Sequence, residues 1–439
     1  MMALKQVIPV VLVFSCILAT PCVYAADTLQ QIHPYISVKG EYSDNLDLAY
    51  ENKKHDFYTT VAPGLKFSNM DAQSGLDLDA SAGYVFYSEY DDFNYVTGNV
   101  NLNAKYLTGS HFNFYLKNAF IRSDDPRERE YFTTTSDNKF VLATETQRNT
   151  YMRNVVEPTL EYQFGPESRI GLKYRNNLYR AEDVDDVEGN DSIENYANAF
   201  LTAWFNKQHG LSLDYGYTNG YFEGDPDLNG HRVGGTYMLR FTPRATASLK
   251  GAYTKQTFTE EEDLRDYEIY ETSLGIAYLF SPTLTASLEA GYYWMEPRTG
   301  EKQDGVTFKA DIAQLDVRTS YRLSLQGGYT QDYFTSQNLG FQKYYRATGS
   351  VTHFLDRRLS IGCLGSVERT ESEPVSLSVS DPELRETILG AGANVSYLPF
   401  KWLKFSLEYT YKENNPNHYY EESNGYKENR TMLTVIATY

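Results

Sequence analysis

The chain has 439 residues, a formal net charge of −18 and 39 tyrosines, with aromatic residues at 15%. The acidic balance excludes a nucleic-acid partner, which needs a basic face. The aromatic content excludes a disordered chain, despite a mean hydropathy of −0.52.

The first segment reads as a secretory leader. Lys5 is the only charge in Met1–Ala25, Val7–Ala19 is apolar, and Val23-Tyr24-Ala25 is a small-residue cleavage site. An uncleaved anchor helix is the alternative, although Val7–Ala19 is short for a span of about 20 residues. Cys22 raises a lipoprotein signal, which Pro21 beside it fits poorly. Removal of residues 1–25 takes Cys16 and Cys22 with it, leaves Cys363 with no disulfide partner, and moves the charge from −18 to −19 by loss of Lys5. Residues 26–32 then form a periplasmic tail, and 33–439 a single domain without a long apolar helix.

Strict alternation of apolar and polar residues dominates that domain. In Ala245–Tyr253, Ala245, Ala247, Leu249, Gly251 and Tyr253 share one face. In Leu284–Trp294, Leu284, Ala286, Leu288, Ala290, Tyr292 and Trp294 do so. In Leu403–Lys412, Leu403, Phe405, Leu407, Tyr409 and Tyr411 oppose Lys404, Ser406, Glu408, Thr410 and Lys412. Tyr321–Tyr329 and Leu211–Tyr217 alternate likewise. The three longer runs have 9, 10 and 11 residues, and a tilted strand crossing a bilayer needs ~9–11.

Tight turns punctuate the strands. Phe164-Gly165-Pro166, Phe241-Thr242-Pro243 and Phe280-Ser281-Pro282 each precede a new strand, with Leu398-Pro399-Phe400 and Phe354-Leu355-Asp356 in the same role. Phe241 and Phe280 lie 39 residues apart, the length of one hairpin. Proline cannot donate to a ladder and belongs in turns. The other connections are long and acidic: Ser123–Asn149, Glu182–Glu194 with seven acids and no base, and Glu260–Glu268 with six acids and one arginine. Short turns on one side and long loops on the other are the outer-membrane asymmetry. The segments add up to an all-β, antiparallel transmembrane barrel of about 20 strands (18–22), Tyr35–Leu46 and Val306–Thr319 being the weakest signals. At the end of the chain, Leu433, Val435, Ala437 and Tyr439 share a face and close on an aromatic residue. This is read as an insertion signal for the outer-membrane insertion machinery, or more simply as one more amphipathic strand.

The mature N-terminal region carries Glu41-Tyr42-Ser43-Asp44-Asn45-Leu46, then Lys53-Lys54-His55-Asp56-Phe57, then Pro63-Gly64-Leu65. Further on come Arg122-Ser123-Asp124-Asp125-Pro126, Arg153-Asn154 and Tyr162-Gln163-Phe164-Gly165-Pro166. These short motifs resemble those of the β-barrel porin type 2 family. The resemblance implies an outer-membrane pore, often tied to export of a surface or extracellular polysaccharide and to a periplasmic polysaccharide export protein.

No catalytic arrangement emerges. The seven histidines are scattered, with His111, His209, His231 and His353 placed beside turns, and H-E-x-x-H, G-x-S-x-G, P-loop and C-x-x-C-H patterns are absent. Asp225-Pro226-Asp227-Leu228-Asn229-Gly230 imitates half a calcium loop, but Thr236 stands where the closing glutamate belongs, so it reads as a turn. No cofactor is expected. The chemistry lies on the face opposite the lipid. Alternation turns Lys117, Lys173, Arg175, Asp214, Lys250, Glu289, Arg322, Lys404 and Glu408 inward, because a charge facing lipid costs up to ~2–4 kcal/mol. These are candidate pore-lining residues, in a barrel whose backbone is roughly 35–40 Å across for 20 strands. The functional expectation is a conduit for polysaccharide export. A general or nutrient diffusion porin is the alternative, and a surface adhesin or barrel enzyme the third. Outer-membrane lipid and lipopolysaccharide are the expected surroundings.

Overall fold

A computed structural model of the chain describes residues 32–108, 111–125, 127, 148–181, 191–223, 226–259, 266–299, 301–332, 340–372, 384–416 and 425–439. The leader and tail, and most of the three acidic loops, lie outside this set. Among the described residues there are twenty strands. They are β1 (Ile32–Ser43), β2 (Asp56–Met70), β3 (Ser74–Tyr87), β4 (Tyr95–Leu107), β5 (Phe112–Ser123), β6 (Tyr151–Gln163) and β7 (Arg169–Ala181). There follow β8 (Ser192–Trp204), β9 (His209–Phe222), β10 (Leu228–Thr242), β11 (Ala245–Phe258), β12 (Tyr267–Ser281), β13 (Leu284–Pro297) and β14 (Gln303–Leu315). The last are β15 (Thr319–Asp332), β16 (Gly340–Phe354), β17 (Leu359–Ser372), β18 (Leu384–Phe400), β19 (Leu403–Pro416) and β20 (Tyr426–Thr438).

Every strand pairs antiparallel with its sequence neighbours, and β20 returns to β1 over Tyr35↔Thr438 to Ser43↔Arg430. The sheet is therefore a closed ring with no free edge, the only way a sheet can satisfy its backbone in hydrocarbon. Short turns such as that between β10 and β11 lie at one rim and the longer connections at the other.

Alternation gives each wall two chemistries. On β1, Ile36, Val38 and Tyr42 are exposed on the outside while Glu41 and Ser43 are buried inside. Leu172, Leu213, Leu249, Leu274, Leu288, Leu323, Leu407 and Leu433 continue the outer apolar band around the ring. The buried apolar residues sit inside the barrel, at the long-loop rim. One cluster joins Leu46, Tyr58, Val85, Tyr87 and Tyr95. A second joins Leu228, Tyr267, Ile269, Tyr293, Met295 and Phe341. A third joins Ile121, Tyr151 and Tyr179.

The motifs read from the sequence have local work to do in this ring. Gly64 faces Tyr35 across the β1–β2 ladder, and a Cβ at Gly64 would stand 2.2 Å from the Tyr35 ring. Glycine there lets the tyrosine lie flat on the inner wall and donate its hydroxyl to Asp79 on β3 at 2.8 Å. Asp44 accepts from the Asn429 backbone N–H and side-chain amide, each at 2.7 Å. Asn45 donates to the Ala49 and Lys427 carbonyls at 2.7 and 3.0 Å. Both residues clamp the seam where the first and last strands meet.

Several boundaries depart from the sequence reading. Ser192–Glu194 and Tyr267–Glu268 are strand rather than loop, and β10 begins at Leu228, inside the segment read as a turn. His231 lies within β10, its ring 5.1 Å from that of Tyr217. The alternation read through Tyr321–Tyr329 breaks at Gly328, whose φ of +153° favours glycine. Beyond it Tyr329 turns inward and packs on the second cluster. Ladder pairing between β14 and β15 runs only from Phe308↔Gly327 to Leu315↔Ser320. Above that point β15 leaves β14 and leans over the lumen.

Candidate functional site: the lumen wall

The candidate pore-lining residues fall on the inner face, and the ladder explains which of them meet. Lys117 on β5 stands opposite Glu157 on β6. Lys173 on β7 reaches the same carboxylate, Nζ to Oε2 2.8 Å. Two residues further along β7, Arg175 forks onto both oxygens of Glu194 on β8, with Nε to Oε2 at 3.1 Å. Its guanidinium lies 5.0 Å from the Tyr196 ring centre. Three of the nine candidates thus belong to one patch on β5–β8, with two carboxylates that the sequence reading passed over. Glu157 and Glu194 are nearly buried. Their signal was available: Val155, Glu157, Thr159 and Glu161 alternate with outward-facing residues, but Pro158 in the middle disguises the strand.

Asp214 on β9 accepts from Arg232 on β10 at 3.0 Å. Lys250 on β11 and Glu289 on β13 meet across β12, where Ser273 donates to the other Glu289 oxygen at 2.8 Å. Arg322, Lys404 and Glu408 lie on β15 and β19, away from these patches. Another pair, Arg346 on β16 and Glu368 on β17, was missed by sequence reasoning. Its Nε donates to Oε2 at 2.9 Å. Opposite charges on neighbouring strands neutralise one another, so the wall stays wettable without a strong net field at those points.

The mouth at the long-loop rim is narrower than loops projecting outward would leave it. Asp125 and Arg127, from the connection after β5, turn back into the barrel and are buried. Arg127 donates Nε to Asp125 Oδ1 at 2.7 Å and its NH1 to Glu428 Oε1 on β20 at 2.5 Å. Ser43 donates to the same Glu428 oxygen at 2.7 Å. Arg148, at the far end of that connection, donates to the Tyr87 hydroxyl at 2.6 Å. Burial alone would push the Asp125 carboxyl up, but Arg127 and Arg148 outweigh it and hold it well below the usual carboxylate range. On the opposite side, Tyr329 donates to Glu271 at 2.9 Å and Gln256 to Gln331 at 3.2 Å. The inward-leaning end of β15 is fastened to β11 and β12 by these bonds.

Among the described residues no group of three or more His, Cys, Asp or Glu side chains is arranged to hold a metal ion. Leu433, Val435 and Ala437 face outward on β20 opposite Gly40, Val38 and Ile36. Tyr439 lies beyond the strand, its backbone N–H bonded to the Pro34 carbonyl at 2.8 Å and its side chain 98% exposed.

No family model matches the chain, and no curated protein does. Solved structures do. A variant of the ferric enterobactin receptor PfeA from Pseudomonas aeruginosa is 9% identical over 93% of this chain and 80% of its own, with a TM-score of 0.50. OccAB4 from Acinetobacter baumannii is 12% identical over 93% of this chain and 98% of its own, at 0.46. The outer membrane protein OpdK from Pseudomonas aeruginosa is 10% identical over 93% and 99%, at 0.43. At these identities the likeness concerns the fold, a closed antiparallel β-barrel.

Proposed function

We propose that this chain is a non-enzymatic, water-filled channel of the Gram-negative outer membrane that passes small polar solutes by diffusion. The observation that carries this reading is the opposition of the two barrel faces: an outer apolar band, and an inner wall of paired charges such as Lys173–Glu157, Arg175–Glu194 and Lys250–Glu289. A lipid-facing surface without charge and a hydrated interior are what a bilayer-spanning barrel requires. In this reading residues 1–25 direct export and are removed. The long-loop rim faces outside the cell among lipopolysaccharide, and β20 is read by the insertion machinery.

The family resemblance suggests a polysaccharide as cargo, handed over by a periplasmic export protein. Diffusion of small solutes suits the mouth better, because the Arg127–Asp125–Glu428 cluster and the β15 end narrow it from two sides. Purified protein in liposomes decides between them. Small sugars and amino acids are expected to enter at rates that fall with solute size. Absence of both solute flux and single-channel conductance overturns the channel. Loss of surface polysaccharide in a deletion strain, with no change in small-solute permeability, would restore the export reading.

A further inference from the structure

The short turns repeat one arrangement along their rim. The last residue of a turn offers its carbonyl to a strand-end N–H of the next hairpin. Arg244, Arg318 and Arg358 stand at that position after β10, β14 and β16. Their carbonyls accept from the N–H groups of Leu279, Phe354 and Leu398, each at 2.8 Å. The backbone thus holds the three arginines at equivalent places, and all three residues are exposed. Arg357 sits beside Arg358, and Lys401, in the turn between β18 and β19, continues the arc.

These five cations have no ion pair among the described residues. The two acids in the same turns are engaged by backbone. Asp316 Oδ1 accepts from the Val317 N–H at 2.7 Å. Asp356 Oδ1 accepts from the N–H groups of Arg358 and Leu359 at 2.5 and 2.9 Å. Across the rim the sign reverses. The turns after β2, β4 and β6 carry Asp71 and Glu167 and no lysine or arginine. Arg240 at the end of β10 is bonded to Glu167 at 2.6 Å. The surplus of positive charge is therefore one-sided.

The same turns hold apolar side chains in the open. Val317, beside Arg318, is 89% exposed, and Leu355, Phe400 and Trp402 are exposed as well. Phe400 pairs with Leu403, on the face that carries Leu407 of the outer band. The Trp402 ring stacks on Phe400 with centroids 5.5 Å apart. Lys401 thus lies between two rings that extend the lipid-facing surface to the rim. Aromatic and cationic groups side by side at one height suit a lipid interface. There the rings meet acyl chains and the long cationic side chains reach the headgroups.

We propose that the short-turn rim from β14 to β19 binds anionic phospholipid of the leaflet in which it stands. Headgroup phosphates accept charge-assisted hydrogen bonds from Arg318, Arg357, Arg358 and Lys401. A headgroup with its own ammonium, as in phosphatidylethanolamine, brings no net charge to this arc, whereas phosphatidylglycerol does. The inference rests on the membrane placement proposed above and not on channel activity.

The test uses the full chain purified in mild detergent and incubated with phosphatidylglycerol or phosphatidylethanolamine of the same acyl chains. Native mass spectrometry reads the lipid retained per barrel. The wild type is expected to retain phosphatidylglycerol in preference, and the preference to fall as salt is raised. Arg357→Gln with Arg358→Gln and Lys401→Gln is expected to lower it about fivefold per cation removed. Arg240→Gln, at the same rim but bonded to Glu167, is expected to leave it unchanged. Heat-modifiable gel mobility reports that each variant is folded. Equal retention of the two lipids by the wild type overturns the proposal, as does a preference that survives the triple substitution. A fall in Arg240→Gln as large as that per cation in the arc also overturns it, because overall charge would then be what the lipid reads. Recovery of the protein in the soluble fraction would instead overturn the membrane reading itself.

Discussion

The rings of Tyr329 and Tyr293 meet with centroids 4.7 Å apart, although β14 separates their strands in the ladder. Contact at that distance requires β15 to leave the wall and lie over the inner face of β13. Gly328 permits it: a Cβ there would stand 3.1 Å from Thr307 Cγ2, and its φ of +153° suits no L side chain. Gly328→Ala is therefore expected to destabilise the barrel by about 1 kcal/mol or more through backbone strain. Tyr329→Ala instead removes the ring and the bond to Glu271, leaving the backbone free to adopt its present course. That variant is expected to raise single-channel conductance, since the aromatic cluster loses the side chain that fastens it. Unchanged conductance would show that the β15 end does not limit flow.

A second constriction should answer to acid. The Asp125 carboxyl is buried, and Arg127 and Arg148 keep it below its ordinary value, with Glu428 and Arg430 nearby. A carboxylate depressed in the folded state contributes stability above its unfolded value of about 3.9, and that contribution disappears as the pH falls through the folded value. The inward-turned segment is thus expected to stay seated near neutrality and to loosen only in acid, below about pH 4. Stepwise conductance recorded across that range checks the direction. Arg127→Ala removes the one cation bonded to both buried carboxylates, Asp125 and Glu428, and leaves Arg148 and Arg430 as their remaining counter-charges, a loss of at most the about 3–5 kcal/mol that breaking a buried pair costs. Its open mouth should already be present at neutral pH.

Ion selectivity separates wall charges that are paired from those with no ion pair among the described residues. Arg322 and Lys404 face the lumen and stand apart from the carboxylate patches, whereas Lys173 and Arg175 are bound to Glu157 and Glu194. Arg322→Glu with Lys404→Glu places two anions where two cations stood. The reversal potential in a salt gradient is expected to move toward cation preference. Lys173→Gln should move it less, because the neighbouring Glu157 still faces Lys117 across the ladder. An equal shift in both variants would mean that pairing does not govern the field ions sense.

The sequence announced the barrel because the bilayer imposes period two on every strand. Ala245–Tyr253 and Leu403–Lys412 show that pattern, and β11 and β19 begin where alternation puts them, each running on past the alternating stretch to Phe258 and Pro416. The inward direction of the charged residues followed from the same rule. What alternation cannot express is contact across the lumen. Arg127 reaches Glu428, 301 positions away, and Gln256 reaches Gln331 from four strands along. Neither pair lies on adjacent strands, so no local pattern marks it. The turn at Gly328 was equally silent, since Tyr321, Leu323, Leu325, Gly327 and Tyr329 look like one uninterrupted face. Strand ends were misplaced where acids are buried inside the mouth. Glu194 resembles loop composition until Arg175 is seen to hold it.

The C-terminal residue offers a test of whether a side chain serves folding or delivery. The Tyr439 ring touches almost nothing, at 98% exposure, and only its backbone N–H joins the ring of strands, through the Pro34 carbonyl. Its partners on the same face, Leu433 and Val435, are held in the β20–β1 ladder opposite Gly40 and Val38. Tyr439→Ala keeps the backbone bond and removes only the exposed ring. Refolding of the purified chain into detergent micelles should therefore proceed as in the wild type, with the same heat-modifiable mobility. Assembly in cells, followed by pulse-chase and protease resistance at the surface, should slow if the insertion machinery reads the terminal aromatic. Leu433→Asp, by contrast, puts a charge in the apolar band and is expected to impair both assays, at a cost below the ~2–4 kcal/mol that an arginine or lysine carries at the midplane. Equal performance of Tyr439→Ala and the wild type in both settings would remove the terminal ring from the signal and leave the apolar stripe of β20 as its only carrier.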